Sequence, residues 1–196
     1  MTSASPSLSS SSIPNLRPSR SARTRIRWRA LCALWPACAA LFLAQPAGAA
    51  PERLGSYQKW SAYVVKDGGT NHCFAYSEPT KMEGKYSTRG KVSISVSHRP
   101  SEKIRNEVSF TAGYTFKPNT PLEVDIDGKK FKLFVDGDSA WAENPETDKQ
   151  LVDALQSGKR MVTRGVSARG TKTVDTYSLS GSTAALDQIS KTCPEN

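Results

Sequence analysis

Leu122-Glu123-Val124-Asp125-Ile126-Asp127-Gly128-Lys129-Lys130-Phe131-Lys132-Leu133-Phe134-Val135 is the stretch on which the fold class turns. Leu122, Val124 and Ile126 alternate with acids, the period of two that sends one face of a strand into a core and the other into water. Asp127-Gly128 follows, a pair that tolerates the left-handed backbone of a tight hairpin turn. Phe131, Leu133 and Val135 then resume the alternation, so the stretch predicts two antiparallel strands joined directly.

Working outward, Val92, Ile94 and Val96 alternate with Ser93, Ser95 and Ser97 in the same way. Tyr57 to Val65, His72 to Tyr76, Ile104 to Ala112, Ser139 to Ala142, Arg160 to Val166 and Val174 to Leu179 complete a set of about eight short strands separated by Gly, Pro, Asn and Asp clusters, which indicates an all-β sandwich. Two segments break the pattern. Pro145 to Ser157 has Glu146 and Asp148 early, apolar Leu151, Val152 and Leu155 on one side and Gly158 just beyond, the marks of a short capped helix. Ser182 to Lys191 repeats the theme with Ala185, Leu186 and Ile189. Both are expected to plug the ends of the sandwich.

The chain has 196 residues, 37% hydrophobic and 23% charged, with a formal net charge of +9 and a sequence pI of about 9.5. This composition excludes collagen, coiled coil, a disordered tail protein and a multi-span membrane protein, and it is compatible with a nucleic-acid binder. The charge, however, is unevenly placed. Arg17, Arg20, Arg23, Arg25, Arg27 and Arg29 precede any acid, the first of which is Glu52, so the remainder carries 21 basic against 18 acidic residues, a balance of +3.

The basic front is followed by an apolar run from Ala30 to Ala44 and by Gln45-Pro46-Ala47-Gly48-Ala49, the order of a secretory signal. Residues 1–49 are therefore expected to be a signal peptide cut between Ala49 and Ala50, and 50–196 a single domain. A transmembrane anchor is disfavoured, because the run falls short of the roughly 20 residues a bilayer needs and contains Pro36. Neither Cys32 nor Cys38 follows the small-residue box of a lipoprotein signal. A transit peptide shares the Arg- and Ser-rich composition and stays as the alternative.

Removing the leader leaves Cys73 and Cys193, which can pair in one way only. An oxidising compartment implies a Cys73–Cys193 disulfide. In the chain-entropy account, closing so long a loop contributes roughly 5 kcal/mol. Neither cysteine has a C-x-x-C neighbour, which disfavours a redox catalyst or a zinc site.

No catalytic residue, metal ligand or cofactor is assigned. His72 and His98 lie in expected strands without a second ligand two or four residues away. Gly165-Val166-Ser167-Ala168-Arg169 lacks the second glycine of a nucleophile elbow, and Ser56-Tyr57-Gln58-Lys59 matches S-x-x-K without its companion motifs. Asp125-Ile126-Asp127-Gly128 continues into Lys129 and Lys130 rather than a calcium loop. The residual concentration is basic: Lys159, Arg160, Arg164, Arg169 and Lys172, beside Lys129, Lys130 and Lys132. It is either an anion-facing patch or a set of solvated positions that guard strand edges. Nucleic acid is disfavoured because aromatics are not interleaved with these cations.

Trp60, Cys73-Phe74-Ala75 with Ser77 and Pro79, Arg89-Gly90, Gly113-Tyr114, Phe131, Ser167-Ala168-Arg169-Gly170-Thr171, Asp175-Thr176-Tyr177-Ser178-Leu179, Gly181 with Ala184-Ala185-Leu186, and Cys193 form a pattern that resembles the invasion-associated locus B family. The resemblance spans Tyr57 to Cys193 and is most specific from Ser167 to Leu186. It implies an Ig-like β-sandwich with one or two short helices, exported by a Gram-negative bacterium, associated in some pathogens with host-cell entry, and with no established enzymatic activity. Gly165 and Gly170, which bracket Ser167 to Arg169, are expected to allow a turn or bulge there. Arg169 is the member of the motif whose charge packing does not require, so Arg164, Arg169 and Lys172 are the candidate partner-binding residues.

The expected function is a non-enzymatic binding module for an unidentified protein or glycan partner at the cell envelope or a host surface. Its expected location is the periplasm, with the outer membrane or the medium as alternatives. The competing expectation is a periplasmic hydrolase or other enzyme with a dispersed site that uses His72 or His98.

Overall fold

The computed structural model describes residues 50–194. The expected signal peptide and the Ala49 side of its cleavage site lie outside the described residues.

Eleven antiparallel strands follow in chain order: β1 (Glu52–Tyr57), β2 (Trp60–Asp67), β3 (Thr70–Ser77), β4 (Lys81–Gly84), β5 (Ser93–Arg99), β6 (Ile104–Thr111), β7 (Leu122–Ile126), β8 (Lys129–Asp136), β9 (Ser139–Trp141), β10 (Arg160–Val166) and β11 (Lys172–Ser178). The helices are α1 (Pro145–Ser157) and α2 (Ser182–Thr192), with one 3-10 turn at Pro100–Glu102. The fold is an all-β sandwich with two short helices. One layer runs β1-β2-β3-β5-β6-β9, and the other runs β7-β10-β11-β4. β8 belongs to both, pairing with β7 over Lys129 to Leu133 and with β9 over Phe134 to Asp136.

The stretch from Leu122 to Val135 behaves as its pattern dictates. Leu122, Val124, Ile126, Phe131 and Leu133 are buried and their neighbours are not. Asp127 and Gly128 both take positive φ, 47° and 97°, and the Asp125 carboxylate accepts the Gly128 N–H at 2.8 Å. β5 differs from its half-buried expectation, because Ser93 and Ser97 on the outer face are also buried. Ser97 is short and lies in register between the larger Phe74 and Glu107. The sequence pattern does not predict β4, nor a separate β1 ahead of the turn at Gln58 and Lys59.

The two layers meet through one apolar core that includes Trp60, Ile94, Phe110, Leu133, Met161 and Tyr177. Phe110 and Tyr177 pack edge to face with centroids 6.4 Å apart, and the Trp60 indole N–H donates to the Ser178 carbonyl at 3.1 Å. The helices close the rest of the first layer's inner face, α2 over β1, β2 and β3, and α1 over β6 and against α2. Asn144 caps α1 by accepting the Thr147 N–H at 2.9 Å. Buried Ser182 Oγ sits 2.7 Å from the carbonyls of Leu155 and Leu179, tying the start of α2 to the end of α1. Cys73 on β3 and Cys193 at the end of α2 are bonded, both fully buried. Among the described residues no helix is long and apolar enough to cross a membrane.

Candidate functional site

Strand alternation puts Thr173, Asp175 and Tyr177 on the core face of β11. A carboxylate there needs a partner, since an isolated buried charge is strongly disfavoured. Arg89, on the connection between β4 and β5, supplies it. Its two terminal nitrogens donate to the Asp175 oxygens at 2.6 and 2.7 Å, and Nε donates to the Ala112 carbonyl at 2.7 Å. The two side chains are only 3% and 6% exposed. Burial alone would weaken the guanidinium's hold on its proton, but the bonds to Asp175 more than offset this, and Arg89 stays more firmly charged than usual. The rings of Tyr86 and Tyr114 flank it, with centroids 5.5 and 5.0 Å from the guanidinium carbon.

Three glycines make the approach possible. The Gly90 N–H donates to the Gly113 carbonyl at 2.8 Å, and a Cβ on Gly113 would come within 2.5 Å of the Gly90 carbonyl oxygen. Gly113 also takes φ +70°, which favours glycine. The next residue, Tyr114, lays its hydroxyl 2.6 Å from Thr173 Oγ1 and directly over Gly165, where any Cβ would collide with it. Gly165 thus serves the packing of Tyr114 from within β10 and not a turn, which corrects one half of the bracketing expectation.

Gly170 fulfils the other half. The Gly170 N–H donates to the Ser167 carbonyl at 2.7 Å, Gly170 takes φ +83°, and the Ser167 N–H donates to the Thr171 carbonyl at 2.9 Å. This is a tight hairpin turn closed by a left-handed glycine, a common short connection. Ser167 Oγ accepts the Thr171 N–H at 3.1 Å, so the hydroxyl organises the loop. The Ala168 N–H donates to the Thr115 carbonyl at 2.8 Å, docking the hairpin on the segment after Gly113.

These three segments, Lys85 to Arg89, Gly113 to Thr115 and the β10–β11 hairpin, enclose a cleft of about 460 Å³. Arg89, its side chain almost wholly buried, and Tyr114 line it together with exposed Lys85 and Arg169. Ser87, Thr88, Thr115 and Thr171, all hydroxyl-bearing, are among its lining residues. Among the described residues no carboxylate or imidazole lines it.

Of the three candidate partner-binding residues, only Arg169 lines this cleft. Arg164 projects from the opposite face of β10 in register with Glu123, where it lines a separate depression of about 230 Å³ with Lys130, Lys132 and Asp125. Lys172 is exposed at the start of β11, in register with Val166. The cluster seen in sequence is therefore divided between faces. His72 and His98 are likewise apart. His98 is in register with Cys73 on the inner face, buried, with Nε2 3.0 Å from Asn106 Oδ1. His72 is on the outer face beside Phe74, its pKa pushed below the ordinary value by burial and then by Arg99. Among the described residues, no group of three or more His, Cys, Asp or Glu side chains could hold a metal ion. Lys85, Ser87 and Thr88 were missed in sequence because exposed polar residues in a connection carry no periodic signal.

The family model described as invasion associated locus B (IalB) protein matches residues 60–190. The chain belongs to the IalB family. All three segments of the cleft lie inside the matched region, and the residues that carry the family resemblance from far apart in the chain, Arg89-Gly90, Gly113-Tyr114, Ser167 to Thr171 and Asp175, converge there. Among solved structures, the crystal structure of invasion associated protein B from Bartonella henselae aligns with a TM-score of 0.52 at 19% identity, covering 74% of this chain and 97% of that one. At that identity the likeness shows the fold of this IalB-family chain. No curated protein matches it significantly in sequence.

Proposed function

We propose that this IalB-family chain is an exported, disulfide-stabilised binding module of the bacterial envelope, without enzymatic activity, whose cleft takes the anionic part of a partner. The observation that carries this reading is electrostatic. Lys85 and Arg169 line the cleft with no acidic partner among the described residues, while the carboxylate beneath them, Asp175, is committed to Arg89. Two cations in a concave site attract an anion, and the fixed Arg89–Asp175 pair leaves them uncompensated. Ser167, the hydroxyl nearest to a nucleophile in the motif, is occupied in the hairpin, which favours binding over catalysis. Export follows from the order of the leader and suits the buried disulfide, and it places the module in the periplasm, at the outer membrane or in the medium. A part in host-cell entry follows from the family association.

Two measurements test this. After cell fractionation the protein should be found outside the cytoplasm with its N-terminus at Ala50; recovery only from the cytoplasm with the leader intact would refute the export reading. Binding of the labelled protein to envelope fractions should weaken with salt and fall about tenfold in Arg169→Ala, a loss typical of a charge-assisted contact. Because Arg169 is exposed at a hairpin tip, the melting temperature should not change. Binding that is indifferent to both salt and Arg169→Ala would refute the cleft.

A further inference from the structure

We infer that the ligand of this cleft is an acidic saccharide, a hydroxylated ring bearing a carboxylate. The inference rests on the cleft reading above and deepens it.

The lining is informative by what it contains and by what it lacks. Ser87, Thr88, Thr115 and Thr171 line the cleft, and their hydroxyls have no hydrogen-bond partner among the described residues. A hydroxyl both donates and accepts, so a wall of them matches a ring that carries hydroxyls of its own. The apolar groups among its lining residues are the Tyr86 and Tyr114 rings, the methyls of Ala168 and the threonines, and the methylene stems of Lys85 and the arginines. There is no aliphatic or phenylalanine pocket to seat an apolar anchor, the feature on which peptide and protein interfaces concentrate their binding energy. Arg89 takes one face of each tyrosine ring and Thr173 takes the Tyr114 hydroxyl, so the rings add to the lining the apolar surface that these partners leave uncovered, which suits the C–H face of a sugar. Arg169 brings a planar fork that matches a carboxylate through two parallel bonds, and Lys85 adds a mobile point charge. The volume of about 460 Å³ falls within the usual range for small-ligand sites.

The shape of the cleft is set independently of any ligand. Arg89 is held from three directions, and the Gly90–Gly113 contact fixes the spacing of two walls. A saccharide would therefore meet a cleft whose spacing around Arg89 and Gly113 is preformed, with the exposed side chains, Arg169 and Lys85 foremost, left to order.

The test is an NMR titration of the full chain, isolated with its disulfide formed, using a galacturonate oligomer, the matching neutral galactose oligomer and oligoglutamate. The galacturonate oligomer should saturably shift amides in Lys85 to Arg89, Gly113 to Thr115 and Ser167 to Thr171. It should bind about tenfold more tightly than the neutral oligomer, as expected for a charge-assisted contact. Arg169→Ala should abolish that advantage and Arg169→Lys should restore part of it. Oligoglutamate binding as tightly as galacturonate would overturn the saccharide and leave an anion-binding cleft standing. Equal binding of the neutral and acidic oligomers would overturn the carboxylate. If none of the three shifts these segments, or if Arg169→Ala changes nothing, both the saccharide and the cleft reading fail.

Discussion

Asp175 reaches the interior because it shares a face of β11 with Thr173 and Tyr177, and Arg89 meets it there with both terminal nitrogens. A buried pair of this kind adds little over a well-packed apolar replacement, but removing one partner strands the other. Arg89→Ala is accordingly expected to cost about 3–5 kcal/mol in urea denaturation, while Arg89→Met combined with Asp175→Leu should recover most of the loss. A single variant as stable as the parent would show that the carboxylate finds water. Asp148 is a second residue whose setting has a measurable outcome. It lies in the first turn of α1 and accepts the Val108 N–H at 2.9 Å. Burial raises its pKa from 3.8 to about 6, the Val108 bond works against this, and Glu107 adds to it. The folded state therefore favours the protonated acid. That contribution is fully present below the unfolded pKa and is lost as pH rises through about 6. Asp148→Asn keeps an acceptor for Val108 and loses the charge. At neutral pH it should be about 1 kcal/mol more stable than the parent, after discounting for solvent at this half-buried site and for the lost helix-terminal charge. Denaturation at acid and neutral pH checks this, and an identical pH slope in both proteins would remove Asp148 as the cause.

At the scale of elements, β10 and the hairpin after it show how a glycine can be demanded by a neighbour rather than by its own backbone. Gly165 has no positive φ, yet a methyl there meets the Tyr114 hydroxyl and lies 3.0 Å from the Phe116 ring. Gly165→Ala should destabilise by about 1–3 kcal/mol, the usual effect of overpacking, and adding Tyr114→Phe should relieve part of it in a double-mutant cycle. Strict additivity would mean that the two side chains do not meet. The same elements mark what the sequence made legible. β7, β8, β10 and β11 bury alternate residues and could be read directly, and α1 announced itself through acids, a stripe and a glycine. β4 could not be read, since all four of its residues are exposed and only backbone pairing to β11 holds it. The basic cluster misled for a related reason. Arg164 projects from the outer face of β10 while Arg169 stands on the hairpin beyond its end, so the two are neighbours in the chain and strangers on the surface. The cleft itself was invisible, because the resemblance flagged Arg89, Gly113 and Ser167 without indicating that they meet. Long-range pairing brings them together, and no local pattern encodes it.

For the whole molecule, the Cys73–Cys193 bond spans 120 positions and anchors α2 against the first layer. Cys73→Ser with Cys193→Ser should lower stability by about 2–5 kcal/mol, measured by urea denaturation beside the oxidised parent. A loss below that range would mean that the packing of Ala185, Leu186 and Ile189 alone holds the helix. The course of β8 through both layers has an effect of another kind. Two separate sheets would present four border strands with open hydrogen-bonding groups, but a ladder joined at β8 has only β1 and β4 at its ends. Both are poor templates for a stray strand: β1 is irregular between Arg53 and Gly55, and β4 is short and bears Lys81 and Glu83. Wherever many copies fold side by side, having fewer sticky borders and blunting those that remain keeps each copy from zipping onto the next.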